Sequence, residues 1–228
     1  MSVRVSRTLR RTGLLGVPLL LAASLAQRDS NRLPGDLVQC ANLIYAGTKT
    51  SRCFSDRFLQ RVSLETNIDT DGKFTPVKLG SQDIYQHPFA VMTGEGTFAL
   101  TDAERVNLKN YLTRGGFLLA SAGCSDPGWA AAFRREMGRV FPDRKLETLP
   151  MTHAVFHTVY DIDSVKTSHG AFKAKLEGLT IGERLAVVFS QDGLNDTEHA
   201  QNCCCCGGDE IVNAEFINVN VLAYALLH

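Results

Sequence analysis

The stretch PFAVMTGEGTFALTDAERVNLKNYLTRGGFLLA, residues 88–120, decides the fold of this chain. Its two ends, 88–92 (PFAVM) and 117–120 (FLLA), are short apolar runs bounded by glycine, which is typical of buried strands. Between them, Thr101 followed three residues later by Glu104 is a capping box that predicts the start of a helix. A strand, a helix and a second strand at this spacing predict parallel strands joined by a helical crossover.

The rest of the chain continues the alternation of strand and helix signals. Further strands are predicted at 42–46 (NLIYA), 74–79 and 185–189 (LAVVF), and further helices at 56–64, 129–140 and 211–227. Such alternation predicts a single α/β domain with a doubly wound, mainly parallel sheet and helices on both faces. Flavodoxin-like folds have this arrangement.

The amino terminus has the layout of a secretory signal over residues 1–26, with four arginines, no acidic residue and an apolar run at 13–26. The run is shorter than the about 20 residues that a membrane span needs, although an uncleaved anchor stays an alternative. A polar linker, 27–41, and an α/β domain, 42–228, follow. We therefore expect an exported protein, periplasmic, extracellular or in the cell envelope, with no stable membrane span after cleavage.

The charge balance excludes one class of partner. The chain has 24 basic and 24 acidic residues, and removal of the signal leaves 20 basic residues against 24 acidic ones. Nucleic-acid binding needs clustered lysine and arginine, and no basic stripe occurs in the remaining chain. We expect a small molecule or a protein as the partner, and no nucleic acid.

Several motifs together resemble a known bacterial family. They are Thr93-Gly94-Glu95-Gly96, Tyr111-Leu112, Gly115-Gly116, 133–137 (FRREM), His153, Val155-Phe156 and Tyr160-Asp161. This pattern resembles the family of domains of unknown function numbered four-one-five-nine. The resemblance implies a fold similar to that of class I glutamine amidotransferases. It also implies that the domain occurs in exported stand-alone proteins or as part of larger membrane proteins. It implies no activity.

The loop Gly94-Glu95-Gly96 is a candidate ligand-binding site. Ligands of doubly wound sheets bind beyond the carboxyl ends of the strands, and this loop follows a predicted strand. Two glycines around a carboxylate allow a ligand to approach the backbone closely. A tight turn that only connects the strand to the next helix is the alternative interpretation.

Cys124 is the candidate catalytic residue. It follows a predicted strand and precedes a helix, where the resemblance to amidotransferases implies a nucleophilic cysteine, with His153 or His157 as a base. The chain departs from that pattern because no glycine follows Cys124 and no paired histidine and glutamate occur near the chain end. A disulfide partner or a buried thiol is the alternative. For His153 and His157 themselves, packing or hydrogen bonding is favoured over metal binding.

A run of four cysteines, preceded by His199, is the candidate metal site. The ligands would be His199, Cys203, Cys204, Cys205 and Cys206, and the suitable ions are Zn(II) and Cu(I). Alternatively, export oxidises these thiols to disulfides with Cys40, Cys53 or Cys124, or they exchange partners in a redox-active patch. Seven cysteines cannot all pair within one chain.

Two functions follow from these patterns. The first is an exported, non-catalytic module that binds a ligand, a metal or a protein partner through loops at the carboxyl edge of the sheet. The alternative is a cysteine-dependent hydrolase or amidotransferase-like enzyme that uses Cys124.

Overall fold

The central sheet is built from apolar runs that lie between helices. The computed structural model describes residues 37–50, 54–168, 174–196 and 210–228. Strands β1 to β8 are Val38–Tyr45, Lys49–Thr50, Thr70–Lys78, Phe89–Gly94, Phe117–Ala122, Glu147–Thr148, Leu176–Ile181 and Arg184–Ser190. Helices α1 to α4 are Arg57–Glu65, Asp102–Thr113, Pro127–Val140 and Ala214–Leu227.

The sheet is mixed and mostly parallel. Its parallel part has the order β3-β1-β4-β5-β8. Antiparallel strands extend it: β7 pairs with β8, β6 pairs with β7, and the short β2 pairs with the end of β1. The α/β class and the mainly parallel sheet predicted from the sequence are confirmed.

Helices cover both faces of the sheet, and β5 shows why. Its side chains alternate between two hydrophobic cores because successive residues of a strand point to opposite faces. Leu118 and Ala120 belong to the core that contains residues of α2 and α3, whereas Phe117 and Leu119 belong to the core that contains residues of α1 and α4. All six residues of β5 are buried, so this strand has no solvent-facing side.

The capping box of α2 is present as predicted. The Thr101 side chain accepts a hydrogen bond from the Glu104 backbone, and the Glu104 carboxylate accepts one from the Thr101 backbone N–H. The apolar residues Leu108, Tyr111 and Leu112 of this helix are buried. Val106 of the same helix is 61% exposed.

Strands β1 and β7 are among the elements that differ from the sequence prediction. Strand β1 begins at Val38 rather than at residue 42, because residues 38–41 pair with β3 and β4. Strand β7 was not predicted, although the sequence carries a signal for it. Gly182 and Glu183 separate two apolar runs, and such a two-residue connection containing glycine is typical of a β-hairpin.

Candidate functional site

Four loops leave the same edge of the sheet. Strands β1, β4, β5 and β8 are parallel, so their carboxyl ends lie together. Of the candidate residues, Gly94 ends β4, Glu95 and Gly96 follow it, and Cys124 follows β5. The structure brings these two loops into contact, since Cys124 Sγ lies 2.9 Å from Glu95 Oε1. Sulfur and carboxylate oxygen are therefore adjacent at this edge.

Gly94 is held against two aromatic side chains. A Cβ atom at this position would lie 2.3 Å from the Tyr45 hydroxyl and 2.9 Å from Trp129 Nε1. The Tyr45 hydroxyl donates to Thr93 O at 2.9 Å and accepts from Trp129 Nε1 at 2.6 Å. These bonds connect β1, β4 and α3 and fix the backbone from which Glu95 projects. Nothing in the sequence marked Tyr45 and Trp129 as partners, because 84 positions separate them.

The turn after β5 has an unusual backbone. Cys124 and Ser125 have φ values of 50° and 52°, in the left-handed region that non-glycine residues rarely adopt. Gly123 allows this turn to pack closely, because a Cβ atom there would lie 3.0 Å from Gly94 O. Asp126 then caps α3 by accepting from Trp129 N at 2.6 Å. Cys124 thus lies on a sharp strand-to-helix turn, as predicted.

The loop after β8 is tied to the other loops by polar side chains. Ser125 Oγ accepts from Gly193 N at 3.1 Å, and Ser121 Oγ accepts from Leu194 N at 2.8 Å. Asn195 is buried, and its Oδ1 accepts a hydrogen bond from Thr93 Oγ1 at 3.3 Å. The loops after β4, β5 and β8 are therefore joined into one unit.

Lys49 adds a positive charge to the edge. Its Nζ donates to Glu95 O at 2.9 Å, which brings the end of the hairpin that follows β1 to the loop after β4. Sequence analysis missed Lys49 because its strand, β2, has only two residues and no periodicity.

Cys40 does not take part in this site. It lies in β1 with 0% exposure, and burial, the main cause, raises the pKa of its thiol to about 12. Within the described residues it is a free cysteine, so the alternative in which it pairs with the cysteine run is wrong. Its burial also leaves six of the seven cysteines, an even number, for pairing.

The predicted metal ligands lie outside the described residues, as do Cys53 and the signal segment. These ligands are His199, Cys203, Cys204, Cys205 and Cys206. Across 37–50, 54–168, 174–196 and 210–228 there is no group of three or more His, Cys, Asp or Glu residues placed to hold a metal. Over the same residues no helix has the length and apolar character to cross a membrane.

The two candidate bases are engaged elsewhere. The ring of His153 lies 5.5 Å from that of Tyr224, which in turn contacts Phe117 at the start of β5. Cys124 lies beyond the other end of that strand, so His153 is at the opposite edge. The ring of His157 contacts Asp161 Oδ1 and Met151 O, and these hydrogen bonds raise its pKa, the bond to Met151 most. Both rings therefore stabilise the parts of the fold that surround them.

We expect Gly94→Ala to destabilise the protein by about 1–3 kcal/mol, because the added Cβ collides with Tyr45 and Trp129. Gly138→Ala is the matched control. Gly138 lies in α3, nothing lies within 4 Å of its Cβ position, and alanine there should stabilise the helix by up to about 1 kcal/mol. Urea unfolding of both variants measures the difference, and equal stability would contradict the close packing at Gly94.

A family model matches residues 39–226 of the chain, and its description is Domain of unknown function (DUF4159). The comparison with curated proteins finds no match. The match spans almost every helix and strand residue described above.

Proposed function

The chain belongs to the DUF4159 family, and we propose that it is an exported binding module whose ligand lies at the carboxyl edge of the sheet, around Glu95. Residues 1–26 act as the signal in this proposal, and the ligand is a small polar molecule. Three kinds of observation support it: the strand order, the distribution of backbone strain and the joined loops.

The strand order supports a flavodoxin-like arrangement. Numbered by position among the five parallel strands, the order is 2-1-3-4-5. The chain reverses direction across the sheet between β1 and β4, and doubly wound folds bind their ligands at this reversal, beyond the carboxyl ends. Lys49 and Glu95 lie there, close enough for Lys49 Nζ to bond Glu95 O.

Backbone strain is the observation that carries the proposal. Within the described residues, the non-glycine residues with positive φ are Ala46, Cys124, Ser125 and Asp196. All four follow the carboxyl ends of β1, β5 or β8. Each such residue costs about 1–3 kcal/mol, and strain of this kind is concentrated at functional sites. The strain therefore favours a functional role for this edge over a role in connecting elements only.

Glu95→Gln should weaken ligand binding about tenfold or more, because the exposed carboxylate would contact the ligand. A panel of small polar metabolites, with Zn²⁺ and Cu⁺ included, is tested on the exported protein by thermal shift, followed by calorimetry of each stabilising compound. Glu183→Gln is the control, since Glu183 is also exposed but lies at the other end of β8. The proposal would be contradicted if no compound in the panel stabilised the protein. It would also be contradicted if a stabilising compound bound Glu95→Gln as tightly as the unmodified protein.

We further propose that Cys124 forms a disulfide with a cysteine of the run Cys203, Cys204, Cys205 and Cys206. The run lies between Gly193 and Glu210, which pair in a β-bridge. Gly193 N also donates to Ser125 Oγ, so both ends of the segment are anchored beside Cys124. Such a bond would contribute about 2–4 kcal/mol.

Differential alkylation with mass spectrometry tests this pairing on protein purified from the exporting compartment. We expect a disulfide-linked peptide that contains Cys124, no bound metal, and alkylation of Cys40 only after unfolding. The same spectra report whether residues 1–26 are absent. Alkylation of Cys124 in the folded, unreduced protein would contradict the pairing, and stoichiometric Zn or Cu with unmodified thiols would favour the metal site instead.

A cysteine-dependent hydrolase is the second candidate function. The left-handed conformation of Cys124 on a strand-to-helix turn favours it, because nucleophile elbows have this geometry. Neither His153 nor His157 is positioned as its base. If the reduced protein hydrolyses amides or esters, Cys124→Ser should abolish turnover, whereas Glu183→Gln, at the other end of β8, should retain it. Unchanged turnover in Cys124→Ser, or none in any protein, would eliminate this candidate.

A further inference from the structure

A cavity lies at the edge of the sheet opposite the candidate site, where β4 and β5 begin. Its volume is about 430 Å³, within the range of small-molecule sites. The walls come from the segment before β4, which includes Tyr85, His87 and Pro88, and from the end of α2. Because Glu95 and Cys124 follow the other ends of these strands, the cavity is separate from the site proposed above.

His87 supplies a buried polar group to this cavity. His87 is one of the residues in the wall and is only 5% exposed. Its Nδ1 lies 3.1 Å from Gln39 O, and a carbonyl oxygen can only accept, so Nδ1 carries the hydrogen. Nε2 is then an acceptor in the neutral ring, and no described residue forms a hydrogen bond with it. A ligand that donates a hydrogen bond would satisfy Nε2.

Arg114 supplies a positive charge at the same cavity. Its guanidinium carbon lies 5.4 Å from the centre of the Tyr85 ring, within cation–π distance. No carboxylate in the described part of the chain forms an ion pair with Arg114. The planar guanidinium suits a carboxylate, which it can bind with two parallel hydrogen bonds.

Two tyrosines, Tyr85 and Tyr111, also contribute to the wall of the cavity. The Tyr85 hydroxyl donates to Asn107 Oδ1 at 2.6 Å, which fixes one ring. The Tyr111 hydroxyl donates to His87 O at 2.9 Å and also to Phe117 O, which fixes the second. Since its hydroxyl is engaged, Tyr85 offers the cavity an apolar ring surface on which an aromatic ring can pack, whereas Tyr111 is only 2% exposed and packs against Gly116.

We propose that this cavity binds a small aromatic carboxylate that carries a hydroxyl group. The carboxylate pairs with Arg114, the aromatic ring packs on Tyr85, and the hydroxyl donates to His87 Nε2. The ligand thereby satisfies both polar groups of the cavity.

The three isomeric hydroxybenzoates are the probes, and benzoate and phenol are the comparison compounds. Binding to the full chain is measured by calorimetry and by NMR shifts. We expect one hydroxybenzoate to bind, with benzoate about tenfold weaker because it leaves His87 Nε2 unsatisfied, and phenol weaker still. Failure of all three isomers to bind at their highest soluble concentration would overturn the proposal.

Variants of exposed residues then locate the ligand. Arg114→Gln should weaken hydroxybenzoate binding about tenfold or more, whereas Lys109→Gln, which removes a charge from the same helix, should leave it almost unchanged. Glu95→Gln should also leave it unchanged, which separates this cavity from the site at the carboxyl edge. Equal affinity in Arg114→Gln and the unmodified protein would overturn the assignment.

Discussion

Burial of β5 on both faces is the constraint on which the rest of the structure depends. Every side chain from Phe117 to Ala122 is buried, so the strand needs a cover on each side. Helices α2 and α3 supply one cover, and α1 and α4 supply the other. Helical crossovers make neighbouring strands parallel, and parallel strands place their carboxyl ends at one edge. The position of the candidate site is therefore a consequence of how the core is covered.

The hydrogen bonds among Tyr45, Thr93 and Trp129 fix the backbone geometry at this shared edge. A tyrosine hydroxyl that accepts from the indole and donates to a backbone carbonyl satisfies buried polar atoms from three elements at once. Only glycine fits at position 94 beside it. The loop that carries Glu95 consequently lies against the turn that carries Cys124, and the left-handed residues are held in place by surrounding packing.

The two edges of the sheet offer different chemistry. At the carboxyl edge, a sulfur, a carboxylate and a lysine lie on loops joined by short polar side chains. At the amino edge, an arginine and a buried imidazole line a cavity with aromatic walls. The buried, high-pKa thiol of Cys40 lies inside the sheet and belongs to neither. The two proposed sites are therefore separate within one small domain.

The sequence by itself determined the elements whose signals are local. The apolar runs at 88–92 and 117–120 predicted β4 and β5, and the spacing of Thr101 and Glu104 predicted the start of α2, because periodicity and capping act within a few residues. Only the tertiary structure decided contacts between distant positions. The pairing of Tyr45 with Trp129, the approach of Glu95 to Cys124, the burial of Cys40 and the placement of His153 at the opposite edge depend on strand order and packing, which no local pattern encodes.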